Sequence, residues 1–252
     1  MTGYLDLLQQ FDPISLTEMD SVQLLNRVDN KYIMSAETLK QILPELTQNY
    51  FILEIDKVRN CNYTTVYYDS NKFQLYTQHH NGKLNRYKVR MRRYEDSDTN
   101  FFEIKFKSNK GRTIKERIKL KSFKDDLQGK KMKFLQEHVP FDPESLIPKL
   151  IVHYHRVTLV SKQMNERLTL DTGLWFENKQ SKSEYLNLAI METKQGGGVR
   201  SVAVNSLLNH HVHARSVSKY CLGIASLYGS DVRTNNFKSK FHDINKICYE
   251  NC

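Results

Sequence analysis

The chain has 252 residues, a formal net charge of +10 and 39% apolar residues, with 14 Tyr and 12 Phe among them. That length suits one large β-rich domain or two small ones, and the aromatic content favours strands over a helical bundle. The composition excludes a disordered chain, while the charge selects an anionic partner: nucleic acid, an anionic membrane surface or a phosphorylated small molecule.

Residues 1–22 read as a short leading helix and a connector, broken at Asp12-Pro13. A strand is predicted over 26–34. Ser35 then caps a helix over 36–43 whose end Pro44 disturbs. Segments 50–56 and 62–69 are strand-like, and 71–78 is a short helix closed by Asn81-Gly82. Long strands follow at 84–94, 99–107 and 113–120, joined by polar turns at 95–98 and 108–111. A helix is predicted over 124–138, a connector over 140–148, and strands over 150–160, 166–171 and 185–194. Gly196-Gly197-Gly198 is a flexible turn that ends this run; helices follow at 199–209 and 218–228, and the tail after Ser230 is polar. No internal repeat or low-complexity linker divides the chain. One domain of many antiparallel strands with helices packed outside is the expectation.

Side chains alternate faces along a strand, so parity in the numbering locates them. Arg86, Lys88, Arg90 and Arg92 share one face, opposite Tyr87, Val89 and Met91. Glu103, Lys105 and Lys107 oppose Phe102, Ile104 and Phe106, and Lys115, Arg117 and Lys119 oppose Ile114, Ile118 and Leu120. Arg27, Asp29 and Lys31 share a face, as do Arg167, Thr169 and Asp171, and Glu192 and Lys194. Such a pattern is ordinarily half of a sheet whose other face meets solvent. A solvated face mixes signs, however, to keep like charges from meeting across strands. Here the three central strands are cationic apart from Glu103. Enclosed in a barrel, that face needs an anionic guest, because buried charge must be paired. A phosphate chain supplies the pairing, with Arg making bidentate contacts and Lys adding point charge. The acids Asp29, Glu103, Asp171 and Glu192 are then candidates to hold a divalent metal.

No apolar run approaches the ~20 residues of a membrane span, and the N-terminus lacks the blocks of a signal peptide. Cys61, Cys221, Cys248 and Cys252 contain no CxxC pair and read as reduced thiols. A soluble, cytoplasmic protein is expected. The sequence carries no signal for its oligomeric state.

Nine segments also carry a resemblance. They are RVDNKYIM (27–34), TTVYYDS (64–70), KVRMRRY (88–94), FFEIKFK (101–107), KERIKL (115–120), VHYHR (152–156), ERLTLD (166–171), IMETK (190–194) and SVSKYCLG (216–223). In this order they resemble the catalytic domain of the vacuolar transporter chaperone (VTC) polyphosphate polymerases, within the triphosphate tunnel metalloenzyme (CYTH-like) superfamily. The resemblance divides the chain into a lead-in over 1–25, a tunnel domain over 26–229 and a tail over 230–252. It implies an α+β fold whose eight-stranded antiparallel barrel takes ATP and extends polyphosphate, with Mn2+ or Mg2+. By matching positions, Lys31, Arg90, Arg92, Lys105, Lys115, Arg156 and Arg167 are implied to act on the phosphates. Lys88, Arg117, Lys219 and Arg86 extend the binding set. Glu192 is the implied metal-binding glutamate, with Glu103 and Asp171 as further metal candidates. Phosphate sensing and membrane helices of the eukaryotic members have no counterpart here, so the chain resembles the stand-alone bacterial form. Hydrolases of the superfamily open on an ExExK strand; RxDxK at 27–31 favours the polymerase branch.

Two other readings remain open from the sequence: a tripolyphosphatase or nucleoside triphosphatase on the same fold, and a binding module for polyphosphate or RNA. Against RNA, the aromatics of 88–120 mostly face away from the cations. His210, His211 and His213 read as a polar loop or helix end, and His153 and His155 as barrel-wall residues.

Overall fold

The alternation of charged and apolar residues builds one dominant sheet. The computed structural model describes residues 2–20, 27–196 and 201–250. Gly197, Gly198 and Cys252 lie outside the described residues, as do 21–26 and the start of the helix predicted over 199–209. In chain order the elements are α1 (Thr2–Leu8), β1 (Asp12–Ile14), α2 (Leu16–Asp20), β2 (Arg27–Ser35), α3 (Ala36–Leu46), β3 (Tyr50–Leu53) and β4 (Cys61–Ser70). Next come α4 (Gln74–His80), β5 (Arg86–Tyr94), β6 (Thr99–Lys107), β7 (Thr113–Leu120), α5 (Lys130–His138), β8 (Leu146–Ser161) and β9 (Glu166–Glu177). The chain continues with β10 (Lys182–Tyr185), β11 (Leu188–Gly196), α6 (Val202–Asn209), α7 (Lys219–Leu227) and α8 (Lys238–Asn245).

The sheet is 11-stranded, with the path β2-β11-β9-β8-β4-β5-β6-β7. Among the described residues every strand pairing is antiparallel except that of β1 with β3. Among the described residues no ladder joins β2 to β7, so the sheet is open where a closed barrel was expected. The sequence of β7 gives a reason. Its Lys115, Arg117 and Lys119 are exposed and like-charged, and charges on an edge strand oppose further pairing.

Two apolar layers cover the sheet's outer face. On one side α1, α3 and α6 bury Leu39, Ile42, Leu43 and Leu207 against Tyr32, Met34, Leu168, Leu170 and Met191. Ser35 caps α3 by accepting from the Thr38 amide at 3.0 Å. Pro44, expected to disturb the helix end, lies inside α3, which runs on to Leu46. On the other side α5 places Phe134 and Leu135 against Val89, Met91, Phe102 and Ile104.

Helix α7 departs from the expected arrangement, because it packs on the inner face. Its Tyr220, Leu222 and Ile224 join Ile33, Leu150, Val152, Leu174, Phe176, Leu188 and Ile190, all on the concave side of their strands. The Tyr220 hydroxyl donates to the fully buried Asp69, which also accepts the amides of Leu75 and Tyr76 at 2.8 and 2.9 Å. The C-terminal segment straps the same end: Tyr76 donates to the Arg233 carbonyl at 2.8 Å, and Phe237 packs on Tyr76 and His80. One end of the concave face is thereby filled. The closest approach is at Gly223, where a Cβ would stand 2.6 Å from Phe176 Cδ1 and 2.7 Å from Leu150 Cδ2. Gly223→Ala is therefore expected to cost about 1–3 kcal/mol by overpacking, read as a lowered urea midpoint; an unchanged midpoint would mean that α7 is not seated there.

Candidate functional site: a cationic chamber

Register carries the charged residues of many strands to one concave face. Glu192 lies opposite Lys31 on β2 and Thr169 on β9, and Lys194 lies opposite Arg167. Arg156 on β8 faces Asp171 on β9, while Thr65 and Tyr67 on β4 face Arg92 and Arg90. Arg90 faces Glu103, and Glu103 faces Arg117; Lys105 stands between Lys88 and Lys115. Lys219 enters from the first turn of α7, where Ser218 caps the helix.

Three acids on this face, Glu103, Asp171 and Glu192, are held by cations. Glu103, with 0% side-chain exposure, accepts from Arg90 Nε at 2.6 Å and Nη2 at 2.5 Å, and its other oxygen pairs with Lys115. Asp171 takes a bidentate contact from Arg156 at 2.6 and 2.8 Å and a further one from Lys219. Glu192 meets Lys31 at 3.1 Å and Lys194 at 3.3 Å. Burial alone would raise all three carboxyls, but the cations outweigh it. Glu103 and Asp171 lie well below the usual carboxylate range, and Glu192 is lowered to about 2 by Lys194 and Lys31.

Arg92, Lys88 and Lys105 are placed differently. Buried Arg92 donates to Thr65 Oγ1 at 3.2 Å, and Lys88 to Ser218 Oγ at 3.1 Å. Among the described residues neither they nor Lys105 has a carboxylate at ion-pair distance. The Lys105 ammonium is pulled well below the usual lysine range, first by Arg90 and then by burial. Lys88 is lowered by burial, and so is Lys115, against the pull of Glu103. Conversely, Arg90, Arg92 and Lys88 together overcome burial and draw the Tyr67 phenol down.

Other positions lie at the periphery. Arg167 Nη2 donates to the Met19 carbonyl of α2 at 3.5 Å. The exposed Arg117 guanidinium lies 4.5 Å over the Phe101 ring. Arg86 is turned to the strapped end, where its Nε donates to His79 Nδ1 at 3.3 Å. His79 is held neutral there, lowered to about 3 by burial and by Lys88, Arg86 and Lys240. Between pH 6.5 and that value the unfolded chain takes up a proton that the folded one refuses. His79 should therefore make stability fall with falling pH by up to about 1.4 kcal/mol per pH unit, a contribution that His79→Gln removes from the slope in denaturation measured from pH 6.5 to 4. An unchanged slope in that variant would contradict this environment for His79.

Lys194, Thr65, Tyr67 and Thr169 line the chamber but were not singled out as site residues by the sequence. Thr169 carries a buried hydroxyl without a hydrogen-bond partner among the described residues. Lys194 was visible in the alternation of IMETK; the three uncharged residues gave no charge signal. Away from the chamber, His153 sits on the outer face, stacked on Trp175 at 3.7 Å and bridging Thr64 and Glu177 at 3.0 Å each. His210 bonds Glu45 at 2.8 Å.

The described residues contain no group of three His, Cys, Asp or Glu that could hold a metal by itself. A divalent cation on substrate phosphates needs only one or two carboxylates from the protein. Glu192 fits that role, since it is partly exposed and its lysine contacts are long. Glu103 and Asp171 fit poorly, because both oxygens of each are taken by close, buried cation contacts. No described helix is long and apolar enough to cross a membrane.

Comparison with known proteins places this geometry. A proposed adenylate cyclase from Bacillus halodurans superimposes with a TM-score of 0.50 at 16% identity, covering 76% of this chain and 93% of the other. A proposed adenylyl cyclase from Hippeastrum, described as having a dominant triphosphatase activity, gives 0.48 at 10% identity, covering 79% and 96%. A proposed adenylate cyclase from Vibrio parahaemolyticus gives 0.46 at 12% identity, covering 78% and 97%. Among curated proteins none matches. At these identities the Bacillus likeness speaks for the fold alone. The model of the VTC domain matches residues 26–228, from the start of β2 to the end of α7, and the chain belongs to the VTC domain family.

Proposed function

We propose that the chamber holds a polyphosphate chain together with the triphosphate of ATP, and transfers the terminal phosphate of ATP onto the chain. The observation that carries this reading is a set of inward cations, buried Arg92 with half-buried Lys105 and Lys88, that have no carboxylate at ion-pair distance among the described residues. Such charge is costly until an anion arrives, and a chain of phosphates matches both its density and its depth.

In this reading Arg90, Arg92, Lys105 and Lys115 cradle the reacting phosphates and stabilise their equatorial oxygens. Glu103 and Asp171 orient their arginines and lysines. Lys31 and Lys194 flank Glu192, which would hold Mn2+ or Mg2+; the ion supplies further neutralisation of phosphate oxygens when bound. A terminal oxygen of the chain attacks the γ-phosphorus, the bond from that phosphorus to the bridging oxygen breaks, and ADP leaves with the electron pair. The attacking oxygen is already ionised, so no strong general base is needed. Filling by α7 closes one end of the concave face and limits water from that side.

A triphosphatase is the second reading, favoured by the open edge between β2 and β7, which gives water a path to Lys115. Both are tested by one assay: ATP and Mn2+ with gel detection of polyphosphate and parallel orthophosphate analysis, on the parent and Arg92→Ala. Chain growth lost in the variant supports the polymerase. Orthophosphate without polymer assigns the triphosphatase instead, and no turnover of ATP removes the enzyme reading.

A further inference from the structure

Beyond Arg92 the concave face changes character. Tyr94 follows Arg92 on the same side of β5, Tyr63 faces it on β4, and Phe101 lies on the same face of β6, next inward position to Glu103. The rings touch in series: Tyr63 to Tyr94 at 4.8 Å and Tyr94 to Phe101 at 5.7 Å, both edge-on. All three are half-buried, and the Arg117 guanidinium lies over Phe101. Aromatics on the outer side of these strands belong to the core with α5; this tier does not, since it shares the face of the cations and opens at the mouth.

The opposite end is filled by α7, so a nucleotide whose phosphates lie among the cations has its nucleoside toward the mouth. The distance suits it. Lys105 to Phe101 on β6, and Arg90 to Tyr94 on β5, are each four residues, ~13 Å of extended strand. That is the reach of a triphosphate and its ribose. We propose that Phe101 and Tyr94, with Arg117, form a nucleobase-stacking platform that makes the chamber favour nucleoside triphosphates over bare inorganic tripolyphosphate. The proposal rests on the reading of the chamber as a triphosphate site. The base stacks against the tier of Phe101 and Tyr94, and the Arg117 guanidinium, 4.5 Å over the Phe101 ring, backs that ring. Stacking does not read base edges, so ATP, GTP and CTP bind alike.

The test is calorimetric titration of the parent, Phe101→Ala, Phe101→Tyr and Arg117→Ala with two probes: a β,γ-imido analogue of ATP and inorganic tripolyphosphate. Phe101→Ala should weaken the nucleotide about tenfold and tripolyphosphate less than about twofold, with Phe101→Tyr close to the parent for both. Arg117→Ala, at an exposed position, should weaken the nucleotide more than tripolyphosphate. Equal losses for both probes, or no loss for the nucleotide, overturn the platform while the chamber reading stands. If neither probe binds the parent, the chamber reading fails and the platform with it.

Discussion

Lys105→Met should make the ligand-free protein more stable and yet bind tripolyphosphate at least tenfold more weakly. The two effects share one cause. The Lys105 ammonium lies near Arg90, Arg92 and Lys115, and their repulsion together with burial draws its pKa well below the usual lysine range. An apolar side chain of similar length removes that repulsion. It also removes a charge-assisted contact to phosphate, worth about 1.5–3 kcal/mol, or roughly ten- to more than a hundredfold in affinity. The pH dependence separates this from ordinary repacking. Because the folded pKa is depressed, the unfolded chain binds a proton that the folded one releases as pH rises from that value toward ~10.4. The parent therefore gains stability across this window, and Lys105→Met should gain less, since Lys88 and Lys115 still contribute. Chemical denaturation at pH 7 and pH 9.5, with calorimetry for binding, reads both effects. A variant that is less stable at pH 7 and binds as well as the parent would refute this role for Lys105.

Glu103→Gln should act in the opposite sense. Glu103 is fully buried and neutralises Arg90 and Lys115 directly, with Arg92 lowering its pKa further. A neutral amide leaves these cations beside Lys105 with no compensation, and breaking a buried pair of this kind costs about 3–5 kcal/mol. An occupying polyanion supplies the missing charge. Tripolyphosphate should therefore raise the melting temperature of Glu103→Gln by more than it raises that of the parent, in thermal denaturation with increasing ligand. Equal shifts would mean that Glu103 and the phosphates do not compete for the same cations.

The chamber was largely legible because charge at alternate positions is a strong signal. The predicted strands 99–107 and 113–120 coincide with β6 and β7, and their inward faces with the cationic surface. Left-handed residues moved boundaries elsewhere. Phe73 at φ 53 delays the start of α4, and Asn85 at φ 53 that of β5. Gly129 at φ 54 sets the start of α5 at Lys130, well after the predicted 124. Gly173 at φ 58 lets β9 run on through a bulge to Glu177, beyond the predicted 171. Short β1 and β10 carry too few residues to show a period.

Long-range pairing was the least legible. Nothing local tells that Lys219 meets Asp171 across 48 residues, or that Tyr220 donates to Asp69 across 151. Those contacts turn an amphipathic segment at 218–228, which reads as an outer helix, into the filling of the concave face. Its apolar side matches the inward residues Leu150, Phe176 and Ile190 as well as it would an outer layer. The expectation of a closed barrel overreached for a related reason. Closure depends on β2 and β7 meeting, and the repelling charges of β7 enter that balance only once the edges face each other.

The most direct test of the chamber is titration of tripolyphosphate into the protein in buffers of different ionisation enthalpy at pH 8.5. An anion seated beside Lys105 restores its strongly depressed pKa, so binding should take up protons and weaken steeply with salt. Arg92→Ala should abolish most of the affinity. Binding without proton uptake and untouched by Arg92→Ala, or no binding at all, would contradict the claim that this cationic face forms a phosphate site.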